Sequence, residues 1–282
     1  MAQGRSIESM YGRRSFETGP ATYTDEGFMD TIHTATGLAD FRGTATVVDL
    51  MSGPGKIAAG LRKRAPQHRY FALDFSGAQL AKVPEGIETL QADVRAMDID
   101  PDFADVVVVR YGLKDIPQEQ QPGVFAGISK ILKPGGVLVI ADMVSPDGMK
   151  IRTNHQHSLK QELGGRDVVR DGRCNIPTEE GWRDLLENAG FQAERIVDYT
   201  SNVSTANWVS GNQITEEQRR AMDQLLAGEP RWFKFRFNVR GISPVKIDYP
   251  VVVIKAVKPD TAVGDQIEPS GIIERIVYGA AQ

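Results

Sequence analysis

The sequence predicts an α/β chain folded around a doubly wound parallel sheet, and three observations carry that prediction. Short apolar, β-branched runs alternate with helix-like segments from residue 45 to residue 141. A glycine-rich turn, Met51-Ser52-Gly53-Pro54-Gly55, separates the first such run from a helix. Ala104–Val109 contains four consecutive valines, as expected of a central strand covered on both faces.

Residues 1–24 are polar and rich in Gly, Arg, Ser and Thr, and read as an arm. Thr24 suits a cap on a helix starting at Asp25, where two acids favour the helix dipole. The first strand is Ala45–Leu50, and its helix runs from Lys56 to about Ala65. Arg69–Asp74 is the second strand, followed by a helix over Ser76–Lys82, and Ile87–Ala92 is the third strand. After the valine strand a helix spans about Gln118 to Leu132. It stops at Lys133-Pro134-Gly135-Gly136, and Val137–Ala141 is the fifth strand.

The second half is less regular. Ser145–Pro177 has no clear period. Thr178–Ala189 reads as a capped helix stopped by Gly190, and Phe191–Tyr199 and Tyr249–Val257 as strands. Between those strands lie a helix at Glu216–Ala227 and the run Phe233-Lys234-Phe235-Arg236-Phe237. As a strand, that run puts three phenylalanines on one face and two cations on the other. The expected organisation is an arm and helix over 1–44, one domain over 45–258 with lid segments at about 145–177 and 201–248, and a tail over 259–282.

Composition narrows the function classes. The chain is 41% hydrophobic and 25% charged, as an ordinary folded domain is. No window approaches the roughly 18 apolar residues of a membrane span. The N-terminus lacks the apolar core of a secretory signal. A single cysteine, Cys174, excludes an intrachain disulfide and a cysteine-rich zinc site, and is read as inert. These features favour the cytoplasm. A net charge of −4 gives no basic footprint for nucleic acid.

The glycine turn admits two ligands. Gly53-x-Gly55-x-x-Ala58 satisfies the dinucleotide pattern, and Asp74 lies about 20 residues on, where a ribose carboxylate is needed. Asp49 separates the alternatives. A carboxylate just before the turn repels a pyrophosphate but attracts the ammonium and sulfonium end of S-adenosylmethionine (SAM). Asp93 ends the third strand. An acid there accepts from an adenine amino group while the Val94 N–H donates to a ring nitrogen. Three acids at three successive strand ends are more specific than the glycines alone.

These residues resemble the class I SAM-dependent methyltransferases. VVDLMSGPGKIA is similar to their motif I, RYFALDFSGAQLAKV to the segment with the ribose-binding acid, and LQADVRAMDI to the adenine-binding segment. Residues 110–146 resemble the subgroup that methylates ubiquinone and menaquinone precursors. The resemblance implies a Rossmann-like seven-stranded sheet with its last strand antiparallel. It also implies SAM as cofactor, held by Asp49, Gly53, Gly55, Asp74, Phe75, Asp93, Val94 and Arg110. Three features depart from it. Met51 stands where the family has glycine, Lys114 where the subgroup has arginine, and the segment before the last strand is longer.

Methyl transfer is an in-line displacement that needs positioning and exclusion of water more than a protein nucleophile. Tyr111 and Lys114 follow the fourth strand and are expected on the acceptor side. His155 and His157 are the candidate general bases, against the alternative of ordinary loop histidines. His33 reads as structural. No metal is expected. The expected partner is a small-molecule acceptor rather than nucleic acid, and a homodimer is compatible with the chain. A nicotinamide-dependent oxidoreductase and a SAM-binding protein that transfers no methyl are the rival readings.

Overall fold

The computed structural model describes residues 26–206 and 214–260, apart from the side chains at 194–197. The cap expected at Thr24 and the tail beyond Asp260 lie outside the described residues. Helix α1 (Glu26–Thr36) leads into β1 (Thr46–Leu50), α2 (Lys56–Arg64), β2 (Arg69–Asp74), the short α3 (Gly77–Leu80) and β3 (Glu88–Gln91). Then follow β4 (Ala104–Arg110), α4 (Gln121–Ile131) and β5 (Leu132–Met143). The chain continues through α5 (Lys150–Leu163), α6 (Val168–Asp171), α7 (Glu179–Asn188), β6 (Gln192–Ser204), α8 (Glu216–Ala227), α9 (Arg231–Arg236) and β7 (Lys246–Val257).

The strands form one seven-stranded sheet in the order β3-β2-β1-β4-β5-β7-β6. The pairs from β3 through β5 are parallel, and β7 runs antiparallel to both its neighbours. The last strand is therefore the antiparallel one, as the resemblance implies. The order reverses between β1 and β4, and ligands of open α/β sheets bind beyond the carboxyl ends of the strands at that switch point.

Apolar side chains fill both faces of the sheet. Val107 and Val109 pack into one core with Phe125 and Trp182, whereas Val106 and Val108 pack into the other with Phe28 and Leu61. The valine run is thus divided two and two by the period of the strand.

Beyond the carboxyl edge stands a third core of Met143, Ile176, Val203, Met222, Leu226, Phe233, Phe237, Val245, Ile247 and Tyr249. It forms because β6 and β7 run on past the sheet as a long hairpin. Their pairing continues to Ser204↔Lys246, whereas β5 ends opposite Val251. Both strands are longer than the sequence predicts. The extension brings the 201–248 segment to the same rim as the glycine turn.

Two sequence expectations are corrected here. Residues 145–177 contain the helix α5, whose buried face is polar: Thr153, Gln156, His157, Ser158 and Gln161. A helix that turns polar side chains inward has no hydrophobic period to read. The Phe233–Phe237 run is helical at α9, not a strand. Helical spacing puts Phe233 and Phe237 together and stacks them at 4.4 Å, while Phe235 is 90% exposed on the opposite side. A wall of three phenylalanines does not exist.

Candidate active site at the carboxyl edge of the sheet

The turn after β1 reverses the chain through left-handed residues. Gly53 and Gly55 have φ of 54° and 69°, where a side chain is strained. Met51 takes the same region with φ 57°. The departure from glycine at this position therefore keeps the backbone conformation that glycine provides. Its side chain packs over Gly112, where an added Cβ would lie 2.5 Å from Met51 Sδ. Tyr111, at the end of β4, is also left-handed at φ 51°. Two non-glycine residues in this region flank the topological switch point, a concentration typical of functional sites.

Asp49 is buried, and its Oδ2 accepts the Ala58 N–H at 2.9 Å, inside the first turn of α2. Burial pushes its carboxyl up to about 7, partly offset by that amide and by the Arg110 charge. The carboxylate thus occupies the start of α2, where a dinucleotide fold would place a pyrophosphate. Asp74 ties the turn to β2. Its Oδ2 accepts the Gly53 N–H at 2.8 Å and its Oδ1 accepts the Ser76 N–H at 2.9 Å. Desolvation raises its pKa. With the Phe75 N–H, which also bonds this carboxylate, backbone donors use three of about four acceptor positions, which leaves about one for a ribose hydroxyl. Phe75 is half-buried beside it.

Asp93 caps the single turn at Val94–Ala96, accepting the Arg95 N–H at 2.9 Å. Its carboxylate also pairs with the Arg95 guanidinium, Nη2 to Oδ2 at 2.5 Å, which holds its pKa down. Val94 is buried. Arg110 stacks over the rings of Phe28 and Tyr111, at 5.6 and 5.2 Å.

The acceptor-side predictions are brought together only in part. Lys114 is buried. Its Nζ donates to the Tyr111 carbonyl at 2.5 Å and to Asp115 Oδ2 at 3.0 Å. His155 and His157 lie two residues apart on α5, so they point to different sides. His155 is exposed, and His157 is buried. Of the two candidate bases, helical geometry therefore turns only His157 toward the protein interior. His157 Nε2 donates to Asp115 Oδ1 at 3.0 Å, and burial depresses its pKa to about 3. It is a neutral, poorly basic group.

Asp115 was not predicted. It collects His157, Gln161, Lys114 and, at 3.7 Å, the Cys174 thiol. Asp115, His157 and Cys174 have metal-ligand chemistry and lie close together. Lys114 Nζ and Arg166 Nη1 already contact two of them, which brings two positive charges against any cation. No sequence spacing links Asp115 to a histidine 42 residues on. Asp142, also unpredicted, is different. It is a buried acid at the end of β5, and the strand-end rule that selects Asp49, Asp74 and Asp93 selects it too. Its Oδ2 accepts the Lys114 N–H at 3.2 Å, and burial lifts its pKa to about 6.

Comparison with known proteins decides between the two cofactor classes. Residues 47–136, which hold the glycine turn, Asp74 and Asp93, match the family described as methyltransferase domain. The 2-phytyl-1,4-naphtoquinone methyltransferase of Thermosynechococcus vestitus is 32% identical over 55% of this chain and 75% of its own length.

The chain belongs to the class I SAM-dependent methyltransferases.

The demethylmenaquinone methyltransferase of Chlamydia caviae is 26% identical over 58% of this methyltransferase and 77% of its own length. The fold agrees as well. A solved structure from Bacillus halodurans C-125 superposes with a TM-score of 0.69 at 18% identity, covering 82% of this chain and 99% of that one. Among the described residues no helix of this methyltransferase is long and apolar enough to cross a membrane.

Proposed function

We propose that this methyltransferase transfers the SAM methyl group to a small, largely apolar acceptor held between the carboxyl ends of β1 and β4 and the third core. The observation that carries this reading is the position of Tyr111. It follows β4 at the switch point and also packs against the third core, so it joins the cofactor edge to the segment above it.

The residues fit SAM. Gly53 and Gly55 let backbone approach a ligand, Asp74 keeps acceptor capacity toward a ribose hydroxyl, and Asp49 places behind the turn a carboxyl that a cationic ligand end would ionise. Phe75, Asp93, Val94 and Arg110 stand at the carboxyl ends of β2, β3 and β4 and are assigned to the same cofactor set. SAM supplies an electrophilic methyl on sulfur. The chain's own work is to orient and to exclude water. Tyr111 and the Lys114 ammonium, which lies 5.8 Å from that ring, set the acceptor side. His157, neutral and bonded to Asp115, holds α5 in place rather than removing a proton. The segments at 145–177 and 201–248 act together as the lid, because Ile176, Phe233 and Phe237 share one core.

A small-molecule acceptor is supported by relatives named for quinone precursors and for trans-aconitate, and its apolar character by the third core beside Tyr111. The buried free Cys174 accords with a reducing cytoplasm. The test is formation of S-adenosylhomocysteine from SAM with a panel of prenylated quinols and small carboxylic acids, alongside calorimetry of SAM and NAD binding. Binding of NAD in place of SAM would overturn the reading, as would SAM binding without methyl release to any acceptor in the panel.

A further inference from the structure

We propose that α9 and the turn after it dock this protein onto an anionic lipid surface. Residues 230–247 contain Arg231, Lys234, Arg236, Arg240 and Lys246 and no acid, within a chain of net charge −4. The positive charge is therefore local and opposed by the rest of the molecule. The same stretch exposes large apolar side chains: Trp232 is 49% exposed, Phe235 90% and Ile242 89%. A lone exposed hydrophobe needs no explanation, but an aromatic pair flanked by cations has the composition of an interfacial helix.

The geometry sorts these residues by face. Phe233 and Phe237 point into the third core and anchor α9. Trp232 and Phe235 are left outward, with exposed Arg231 and Arg236 beside them, and neither arginine makes an ion pair among the described residues. Lys234 instead donates to the Ala227 carbonyl, closing α8. Arg152 stacks over Trp232 at 5.5 Å, which brings the first turn of α5, with exposed Ile151, beside the same face. Two acids flank this stretch and both are paired, Glu229 with Arg152 and Gln156 and Asp248 with Arg240, so the patch rests on Arg231 and Arg236 rather than on Arg240.

Lipid fits this face better than the alternatives. Ile242 and Ile151 offer nothing for bases to stack on, and the aromatics stand on a projecting helix rather than in a groove, which argues against single-stranded nucleic acid. A second copy of the chain would meet the same unpaired cations, like against like. Anionic headgroups match the cations while Trp232, Phe235 and Ile242 enter the headgroup–acyl boundary.

The test is co-sedimentation of the full chain with vesicles of phosphatidylcholine alone and of phosphatidylcholine mixed with phosphatidylglycerol. Binding is expected only to the mixed vesicles and should weaken with salt. R231Q/R236Q should reduce partitioning about 30-fold, from two surface charges lost. F235S should also reduce it, with unchanged circular dichroism because Phe235 is exposed. Tryptophan emission should shift to the blue on binding in the wild type and not in W232F. The proposal is overturned if the wild type ignores anionic vesicles, or if both variants bind them as it does. It is also overturned if the patch binds a single-stranded oligonucleotide instead, or if F235S abolishes a lipid-free self-association seen by sedimentation.

Discussion

The Asp49 carboxylate accepts the Ala58 N–H at 2.9 Å, so the anion-binding start of α2 is filled by the protein's own side chain. The consequence is a pH signature. Asp49 ionises near 3.8 in the unfolded chain and near 7 when buried. The folded state therefore holds the proton longer, and its stability falls as pH rises from about 4 through about 7, by on the order of 4 kcal/mol. Asp142 contributes with the same sign, so the difference between wild type and D49N isolates Asp49. Denaturant titrations across this range should show D49N losing less stability than wild type. A positively charged ligand end beside Asp49 favours the carboxylate, so wild-type SAM affinity should rise through pH 7 more steeply than that of D49N. Parallel pH profiles for the two proteins would refute the assignment.

Asp74 has two roles, and two substitutions separate them. It holds the Gly53 and Ser76 amides, and its remaining acceptor position suits a ribose hydroxyl. Asp74→Asn keeps one acceptor oxygen, so it should lose one of these amide bonds and less stability than Asp74→Ala. It should still weaken SAM binding by about 2 kcal/mol, because a charge-assisted contact is lost. Asp74→Ala should lower the melting temperature further, as both amides lose their partner. Unchanged SAM affinity in calorimetry of Asp74→Asn would remove the ribose role.

Met51 and Gly112 form a size-matched pair. A methyl group at Gly112 would sit 2.5 Å from Met51 Sδ and 2.9 Å from Met51 Cβ. Gly112→Ala should cost about 1–3 kcal/mol by overpacking. Met51→Gly removes the obstacle and is compatible with φ 57°. The double variant should therefore be more stable than Gly112→Ala alone, as a thermal-melt cycle would show. Additive losses would mean that the two residues are not coupled.

Much of this architecture is legible in the sequence because it rests on repeated local signals. The β1 turn, the valine strand and the strand-end acids each obey a rule of period or position. What stays hidden depends on pairing at long range. The inward face of α5 is polar because Gln156, His157 and Gln161 meet partners from other segments, and that interior leaves no apolar stripe. Asp115 gains meaning only when α5 delivers His157 and the following loop delivers Cys174. The Phe233–Phe237 run alternates like a strand, yet Pro230 precedes it and the third core accepts residues four apart. A local pattern loses to tertiary burial there.

The Asp115 cluster predicts a silent thiol. Cys174 is buried beside the Asp115 carboxylate, and burial pushes its pKa up to about 12. Maleimide labelling of the native protein should be negligible at neutral pH and become stoichiometric in denaturant. His157 adds an acid limit. Its folded pKa lies below its unfolded value, so its contribution to stability is present above about 6.5 and lost as pH falls toward 3. His157→Gln should flatten that acid limb of the stability profile. Rapid native labelling would show that the pocket opens and would contradict the packing described.

The lid reading rests on Phe237. It stacks on Phe233 at 4.4 Å, meets Tyr249 edge-on at 5.7 Å, and is fully buried in a core that also receives Met143 from the end of β5 and touches Tyr111. Phe237→Ala should cost about 3–5 kcal/mol within that core. The two main cores on the sheet contain none of these lid residues, so the loss should fall first on the 201–248 segment, as faster amide exchange there than in β1 and β4. If this segment covers the acceptor, the KM for the acceptor should rise while calorimetric SAM affinity changes little. Phe235→Ala, on the exposed side of the same helix, should leave both unchanged in lipid-free assays. Equal losses of acceptor use and SAM binding in Phe237→Ala, with uniform exchange across the sheet, would show that the third core is part of the general scaffold and not a lid.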